Sequence, residues 1–224
     1  MVRAVFKYGE VEFTWLGHDG FRVKAGGLTL YFDPYEIGGG EPADLVFASH
    51  SHFDHLSPSD IAKISTSETI VVTTPSGKPQ LSGVRLKEVL TVKPGDKLEV
   101  KGVEVQTIPA YNVNKFMAPG RVFHPEAEGG VGFLVTLAGV KIYHAGDTDS
   151  IAEMEGLQPD IALIPVSGTY VMTAEEAAEA LKRIRPKVAI PMHYGAIVGS
   201  RRDAEKFRQL APKEVQIVIL EKEA

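Results

Sequence analysis

The sequence predicts an α/β chain of the α+β type, in which β-sheets are covered by α-helices. Short apolar runs rich in β-branched residues recur along all 224 residues, and each is bounded by Gly, Pro, Asp or Asn. Helical patterns are fewer, and they alternate with strands only in the later part of the chain. The chain contains no linker, low-complexity segment or obvious short-period repeat, so we predict a single domain over residues 1–224.

The predicted strands begin with a closely spaced pair that is typical of a hairpin. Gly26 and Gly27 separate Phe21–Lys24 from Leu28–Phe32, and a glycine pair suits a tight turn between strands. The remaining predicted strands are Val11–Trp15, Leu45–Ala48, Ile70–Val72, Val103–Ile108, Phe133–Leu137, Val140–His144, Ile161–Pro165, Val188–Pro191 and Val215–Leu220.

Three segments have the signals of helices. Thr173 begins a capping box and is followed by apolar residues at helical spacing until Pro186 ends the pattern. Ser57 precedes Pro58 in a second helix start, where proline is tolerated in the first turn. Arg202–Leu210 is predicted as a third, amphipathic helix. The segment Ala110–Gly130, rich in Asn, Pro, Gly and charge, is predicted as a lid or binding loop, with a plain surface insertion as the alternative.

Composition limits the classes of function and of site. The net charge is 24 − 29 = −5 and the basic residues are scattered, which argues against nucleic acid as a partner. The chain has no cysteine, so a metal would bind His, Asp, Glu or Asn. It lacks both a signal-like segment and an apolar run of about 18 residues, so we expect a cytoplasmic protein that does not enter membranes. A homo-oligomer is left open.

The chemically most informative segment follows the predicted strand Leu45–Ala48. His50, His52, Asp54 and His55 place three imidazoles and a carboxylate within six residues. Alternate residues of an extended strand end point the same way, so we expect His50, His52 and Asp54 to converge and His55 to leave on the other side. Such a group is costly to bury without a cation. These donors suit Zn²⁺ best, with Mn²⁺, Ni²⁺ or Fe²⁺ as alternatives, and could serve one or two ions.

Two later strands also end in metal-binding residue types, Asp147 after a glycine and His193. The His-x-His-x-Asp-His string followed by these two strand ends resembles the metallo-β-lactamase superfamily, over roughly Val11–Gly199. The segments Trp15–His18 and Tyr31–Pro34 are similar to an uncharacterised branch of hydrolases. That branch is related to ascorbate-6-phosphate lactonase and to the N-acyl phosphatidylethanolamine phospholipase D.

The resemblance implies a four-layer αββα sandwich of two mixed β-sheets, with the metals at one edge. It also implies a metal-dependent hydrolase in which Asp54 is catalytic, because the corresponding aspartate orients the attacking water or handles its proton. The first metal is expected on His50 and His52. The second is expected on Asp54, His55 and His193, with Asp147 bridging the two.

The chain departs from the family in one place. Relatives usually carry a histidine just after the strand that here precedes Asn112. We favour His124, in the long loop, as the replacement ligand, and Asn112 and His18 remain alternatives. The two metal sites are therefore expected to differ in affinity. His18, Asn112, Lys115 and Arg121 are candidate substrate-binding residues, the last two for an anionic group.

The sequence leaves two roles open for Asp33. Asp33 could accept a hydrogen bond from a ligating imidazole or could simply begin a turn at Pro34.

The predicted reaction is cleavage of an ester, lactone, amide or phosphodiester bond in a small molecule. A non-catalytic, metal-dependent metabolite-binding protein and a nuclease of the same superfamily are the alternatives. Redox chemistry at a di-iron site is disfavoured, because such relatives usually have Glu where His52 stands.

Overall fold

The computed structural model describes residues 4–223. The chain divides into two compact units, residues 1–93 with 220–224, and residues 94–219. Each unit is built on its own seven-stranded sheet. Two mixed β-sheets with few helices confirm the predicted α+β class, whereas the single-domain assignment over residues 1–224 stays a prediction.

The sheet of the first unit follows chain order. Its first four strands pair antiparallel and the last three continue in parallel. Strands β2, β4 and β5 therefore run in the same direction, so the residues that follow them meet at one sheet edge. The strands are β1 (Val5–Tyr8), β2 (Val11–Gly17), β3 (Gly20–Ala25), β4 (Leu28–Phe32), β5 (Leu45–Ala48), β6 (Ile70–Thr73) and β7 (Glu88–Thr91).

One helix, α1 (Pro58–Ile64), packs on this sheet. Its N-cap is Ser57, whose hydroxyl accepts the N–H of Asp60, and Pro58 occupies the first turn as predicted. Ile61 and Ile64 enter a core cluster with residues of the sheet. Because β5 and α1 are both packed in this core, the segment that connects them, residues 49–57, is fixed at both of its ends.

The sheet of the second unit has the order β16-β15-β14-β13-β12-β9-β8. Strands β9, β13, β14 and β15 run in the same direction, so their carboxyl ends share one edge. A separate hairpin, β10 with β11, lies within the long loop. The strands are β8 (Lys97–Val100), β9 (Val103–Pro109), β10 (Phe116–Ala118), β11 (Arg121–Val122), β12 (Val131–Leu137), β13 (Val140–His144), β14 (Ile161–Pro165), β15 (Val188–Met192) and β16 (Gln216–Ile217).

Two helices belong to the second unit, α2 (Ala174–Ile184) and α3 (Arg201–Leu210). The predicted capping box of α2 is present, since Thr173 and Glu176 each accept the main-chain N–H of the other. The helix ends at Arg185, which adopts a left-handed conformation immediately before Pro186. The prediction of all three helices is confirmed.

We expect Thr173→Val to lower the free energy of unfolding by about 1 kcal/mol, because it keeps the side-chain shape and removes the cap hydroxyl. Urea denaturation monitored by circular dichroism measures this change. Thr173→Ser keeps the hydroxyl and should retain the stability of the wild type. Equal stability of the valine and serine variants would show that the capping box contributes nothing.

Most of the predicted strands are present, and the differences lie mainly at sheet edges. β1, β7 and β8 were not predicted, because each is a four-residue edge strand with at most one buried residue and therefore gives only a weak apolar signal. The predicted strand Val215–Leu220 is shorter than expected and is confined to β16. Within residues 4–223, no helix combines the length and apolar character needed to cross a bilayer.

Candidate functional site

The His50–His55 segment forms a turn, not an extended strand end. β5 stops at Ala48, and the N–H groups of His55 and Leu56 both donate to the carbonyl of His52, at 3.1 and 2.8 Å. The expectation that Asp54 would align with His50 and His52 by strand alternation is therefore wrong. The chain curls back after His52, so Asp54 and His55 are both directed by the turn.

His50 and His52 form the more accessible part of this segment. Nε2 of His50 lies 3.0 Å from Nδ1 of His52. Nδ1 of His50 contacts the Ser49 hydroxyl at 3.0 Å, and that hydroxyl donates its proton to Asp33. The hydroxyl must therefore accept from His50, which places the His50 proton on Nδ1 and directs its Nε2 lone pair towards His52.

His55 is held by a buried carboxylate. Its Nδ1 lies 2.7 Å from Oδ2 of Asp33 and 3.6 Å from Oδ2 of Asp19, and all three side chains are fully buried. Asp33 also accepts the N–H of Ser49 at 2.7 Å and its hydroxyl at 2.6 Å. Of the two predicted roles of Asp33, the hydrogen bond to a candidate ligand is confirmed. The proton of His55 is thereby placed on Nδ1, which leaves Nε2 as the ligand atom.

Asp54 is the carboxylate of this segment that reaches the surface. Its side chain is 15% exposed, and Oδ2 lies 3.1 Å from Nε2 of His18 and 3.6 Å from Nε2 of His55. His18 is itself buried in the turn between β2 and β3. His18 therefore belongs to the donor set of the first unit, as a direct neighbour of Asp54.

In the second unit, two imidazoles converge on one buried carboxylate. Nε2 of His124 and Nε2 of His193 each lie 3.3 Å from Oδ2 of Asp147. Nδ1 of His193 contacts the Ser167 hydroxyl at 2.9 Å, and that hydroxyl donates to the carbonyl of Thr169 at 3.2 Å. The His193 proton therefore sits on Nδ1. In the neutral imidazole, Nε2 is an acceptor that faces a carboxylate oxygen, and a cation or a proton between the two atoms would stabilise this arrangement.

The residues predicted to complete the first metal site are not equivalent in the structure. His124 directs Nε2 at Asp147, whereas Asn112 contacts His124 itself through Oδ1. Both side chains are nearly buried. This geometry favours His124 over Asn112 as a ligand, in agreement with the sequence-based preference.

Lys115 has carboxylate partners of its own. Its ammonium lies 3.2 Å from Oδ1 of Asp149 and 2.7 Å from Oε2 of Glu176. Burial raises the pKa of the Glu176 carboxyl, but hydrogen bonds from Lys115 and Thr173 outweigh this effect and leave it below its usual value. The charge of Lys115 is thus balanced within the unit, which weakens its predicted role towards an anionic substrate. Arg121 is exposed on β11 and retains that prediction.

Three of these positions have a left-handed backbone, which costs a residue with a side chain of order 1–3 kcal/mol. They are His18 (φ 50°), Asp33 (φ 38°) and His193 (φ 60°), and each lies just after the end of a strand. The surrounding sheet compensates for this cost. The strained conformation turns each side chain at the point where regular strand pairing stops.

Sequence reasoning missed the groups that hold the imidazoles. Asp19, Ser49 and Ser167 were not predicted, although each lies close to a candidate ligand in the structure. Ser49 directly precedes the motif and Asp19 follows His18, so adjacency was the available signal. Ser167 is 26 residues from its partner His193, and no local signal marks it.

The donor sets fit a divalent metal ion. In each unit they combine imidazoles with carboxylates and include no thiolate, which is the ligand chemistry of Zn²⁺, Mn²⁺, Fe²⁺ or Ni²⁺. The ligand atoms of His50 and His52 lie within 4.8 Å of each other. The same limit holds, separately, for the ligand atoms of Asp147 and His193. A cation would offset the cost of burying Asp19, which is fully shielded from solvent, and Asp147, which is nearly so.

Comparison with known proteins agrees with the fold. The family model described as the beta-lactamase superfamily domain matches residues 12–193. A UPF0173 metal-dependent hydrolase from Methanopyrus kandleri is 32% identical over 229 residues, which cover 94% of this chain and 97% of that protein.

Two solved structures share the fold. A protein from Parabacteroides distasonis ATCC 8503 gives a TM-score of 0.82 with 24% identity over 98% of each chain. Igni18, a novel metallo hydrolase from Ignicoccus hospitalis, gives a TM-score of 0.73 with 22% identity over 96% of each chain. Since the family model spans most of the sequence and the archaeal relative nearly all of it, the chain belongs to the metallo-β-lactamase superfamily and, within it, to the UPF0173 metal-dependent hydrolases.

Proposed function

We propose that this enzyme uses Zn²⁺ to cleave an ester, lactone, amide or phosphodiester bond in a small molecule. The observation that carries the proposal is the approach of two imidazole nitrogens, Nε2 of His124 and Nε2 of His193, to one carboxylate oxygen of Asp147, each at 3.3 Å. A divalent cation held by these three groups would offset the cost of burying the carboxylate. The proposed ligands are His50, His52, Asp54, His55, His124, Asp147 and His193.

When bound, a divalent ion would lower the pKa of water towards about 7 and would polarise a carbonyl or phosphoryl oxygen. The chain's own residues hold the reacting groups in place. The Asp54 side chain is partly exposed and its Oδ2 has His18 Nε2 as a neighbour, so Asp54 can orient the attacking water and accept a proton from it. Asp33 and Ser167 fix the tautomers of His55 and His193, so that no reorganisation of these rings is needed during the reaction.

The proposal is tested by metal analysis and a substrate panel. We expect the purified protein to contain zinc by plasma mass spectrometry and to lose hydrolysis after treatment with a chelator. Activity should return on addition of Zn²⁺. The panel contains a p-nitrophenyl ester, a lactone, an amide and bis-p-nitrophenyl phosphate, which represent the four bond classes.

His52→Ala and His193→Ala, one from each unit, are expected to lower the zinc content per chain. Each substitution removes one proposed imidazole ligand. A water molecule in its place would bind the zinc ion more weakly. Ser51→Ala is the matched control in the first unit, because Ser51 contacts Gln80 through its main-chain carbonyl, which the substitution keeps. Unchanged zinc content in both histidine variants would rule out the proposed ligands.

The panel also separates the alternatives. A zinc-loaded protein that binds a small molecule but hydrolyses no member of the panel favours the metabolite-binding function. Cleavage of single-stranded RNA or DNA in preference to bis-p-nitrophenyl phosphate favours a nuclease. If the purified protein has a visible spectrum typical of iron, iron replaces zinc as the proposed metal. The closer relationship to ascorbate-6-phosphate lactonase stays a prediction, which the lactone member of the panel addresses.

A further inference from the structure

We propose that Asn112 is a positioning residue that fixes the tautomer and orientation of His124, so that Nε2 of His124 can bind a metal ion. This inference rests on the proposed function, because His124 is one of its metal ligands. It assigns to Asn112 neither metal binding nor substrate binding, the two roles considered from the sequence.

Asn112 and His124 are joined by three contacts. The N–H of Asn112 donates to the carbonyl of His124 at 2.8 Å. Oδ1 of Asn112 accepts the main-chain N–H of His124 at 2.9 Å and lies 3.1 Å from its Nδ1. The exposed fractions are only 5% for Asn112 and 7% for His124, so these bonds are shielded from competing water.

The orientation of the Asn112 amide is determined by its other end. Nδ2 donates to the carbonyl of Tyr170 at 2.8 Å. A flipped amide would place its carbonyl against that carbonyl and its NH₂ against the N–H of His124, so only the observed orientation satisfies both neighbours. Oδ1 therefore faces Nδ1 of His124 as an acceptor.

The tautomer of His124 follows from this orientation. Because the amide oxygen can only accept, Nδ1 of His124 must carry the proton, and the lone pair lies on Nε2. That atom is 3.3 Å from Oδ2 of Asp147. Asn112 thus does for His124 what Asp33 does for His55 and Ser167 for His193.

The backbone around Asn112 is itself anchored. Oδ2 of Asp149 accepts the N–H of Val113 at 2.7 Å and that of Asn114 at 3.0 Å. The N–H of Asp149 in turn donates to the carbonyl of Tyr111 at 2.9 Å. Residues on both sides of Asn112 are therefore bound to the segment just after Asp147. This anchoring gives the Asn112 side chain a defined position from which to hold a loop histidine.

The test combines histidine NMR with metal affinity. In metal-free protein labelled with ¹⁵N-histidine, we expect His124 to carry its proton on Nδ1. Asn112→Leu, of similar size, should abolish this preference and weaken zinc binding in a chelator competition by at least about tenfold. Asn112→Asp keeps the acceptor and should retain the Nδ1 proton. Asn114→Leu is the matched control in the same loop, since Asn114 donates to Glu176, and it should bind zinc as the wild type does.

The outcomes separate this inference from the function on which it rests. A proton on Nε2 of His124 in the wild type, or wild-type zinc affinity in a folded Asn112→Leu variant, overturns the inference. If Asn112→Leu does not fold, loss of the Nδ1 proton in Asn112→Asp overturns it equally. Wild-type zinc affinity in His124→Ala also refutes the inference. The proposed function is still supported in that case if His52→Ala and His193→Ala lose zinc.

Discussion

Asp54→Asn is expected to lower kcat by about 10²–10⁴-fold, because the variant keeps the shape of the side chain but cannot accept a proton. The carboxylate is the partly exposed acid of the motif, and its Oδ2 lies within 3.6 Å of two imidazole nitrogens, those of His18 and His55. An asparagine oxygen can still accept a hydrogen bond but is far less basic. The measurement is kcat on the best substrate of the panel, with zinc added to saturation.

Saturating zinc is required because Asp54 is also a proposed ligand. With weaker binding compensated by excess metal, the remaining loss of kcat reports the loss of proton handling. Ser51→Ala, three residues earlier in the same segment, should have the kcat of the wild type. Near-normal kcat in metal-saturated Asp54→Asn would mean that another group handles the proton.

Asp33→Asn is expected to weaken zinc binding by as much as about 100-fold, although Asp33 is not a proposed ligand. Its carboxylate receives three donors: the N–H and hydroxyl of Ser49, and Nδ1 of His55. An asparagine offers one oxygen, so its NH₂ group must face a donor in a fully buried position. Both the tautomer of His55 and the position of Ser49, which contacts His50, are then disturbed.

The same substitution should lower the free energy of unfolding of the metal-free protein by about 1–3 kcal/mol, the cost of a buried donor without an acceptor. Asp44→Asn is the matched control in the same unit, where Oδ2 accepts the N–H of Thr29 at 2.9 Å. It should leave zinc affinity unchanged. If zinc binds equally well to Asp33→Asn and Asp44→Asn, Asp33 has only a structural role.

The sequence predicted the elements whose formation depends on local pattern. β5 and β14 are continuous apolar runs, and the helix starts at Ser57 and Thr173 have side chains that cap the main chain three residues on. It missed strands such as β8 (Lys97–Val100), whose alternating polar residues become a strand only through pairing with β9.

The candidate ligands were predictable in kind but not in direction. His50, His52, Asp54 and His55 follow a buried strand, which indicated a metal site without any coordinates. Their expected strand-like alternation was wrong, because the main chain after β5 turns back on the carbonyl of His52. Hydrogen bonding of the backbone decided this conformation, and the side-chain pattern carries no signal for it.

The sequence by itself determined which side chains are available to bind a metal, because every proposed ligand except His124 follows a strand that its own residues specify. Only the tertiary structure decided which nitrogen of each imidazole carries the proton and which is left to bind a metal ion. The partners that place the protons lie far along the chain: Asp33 is 22 residues from His55, Ser167 is 26 from His193 and Asn112 is 12 from His124. The pairing of strands in each sheet brings these acceptors to the rings, and a hydrogen bond formed through that pairing has no local sequence signature.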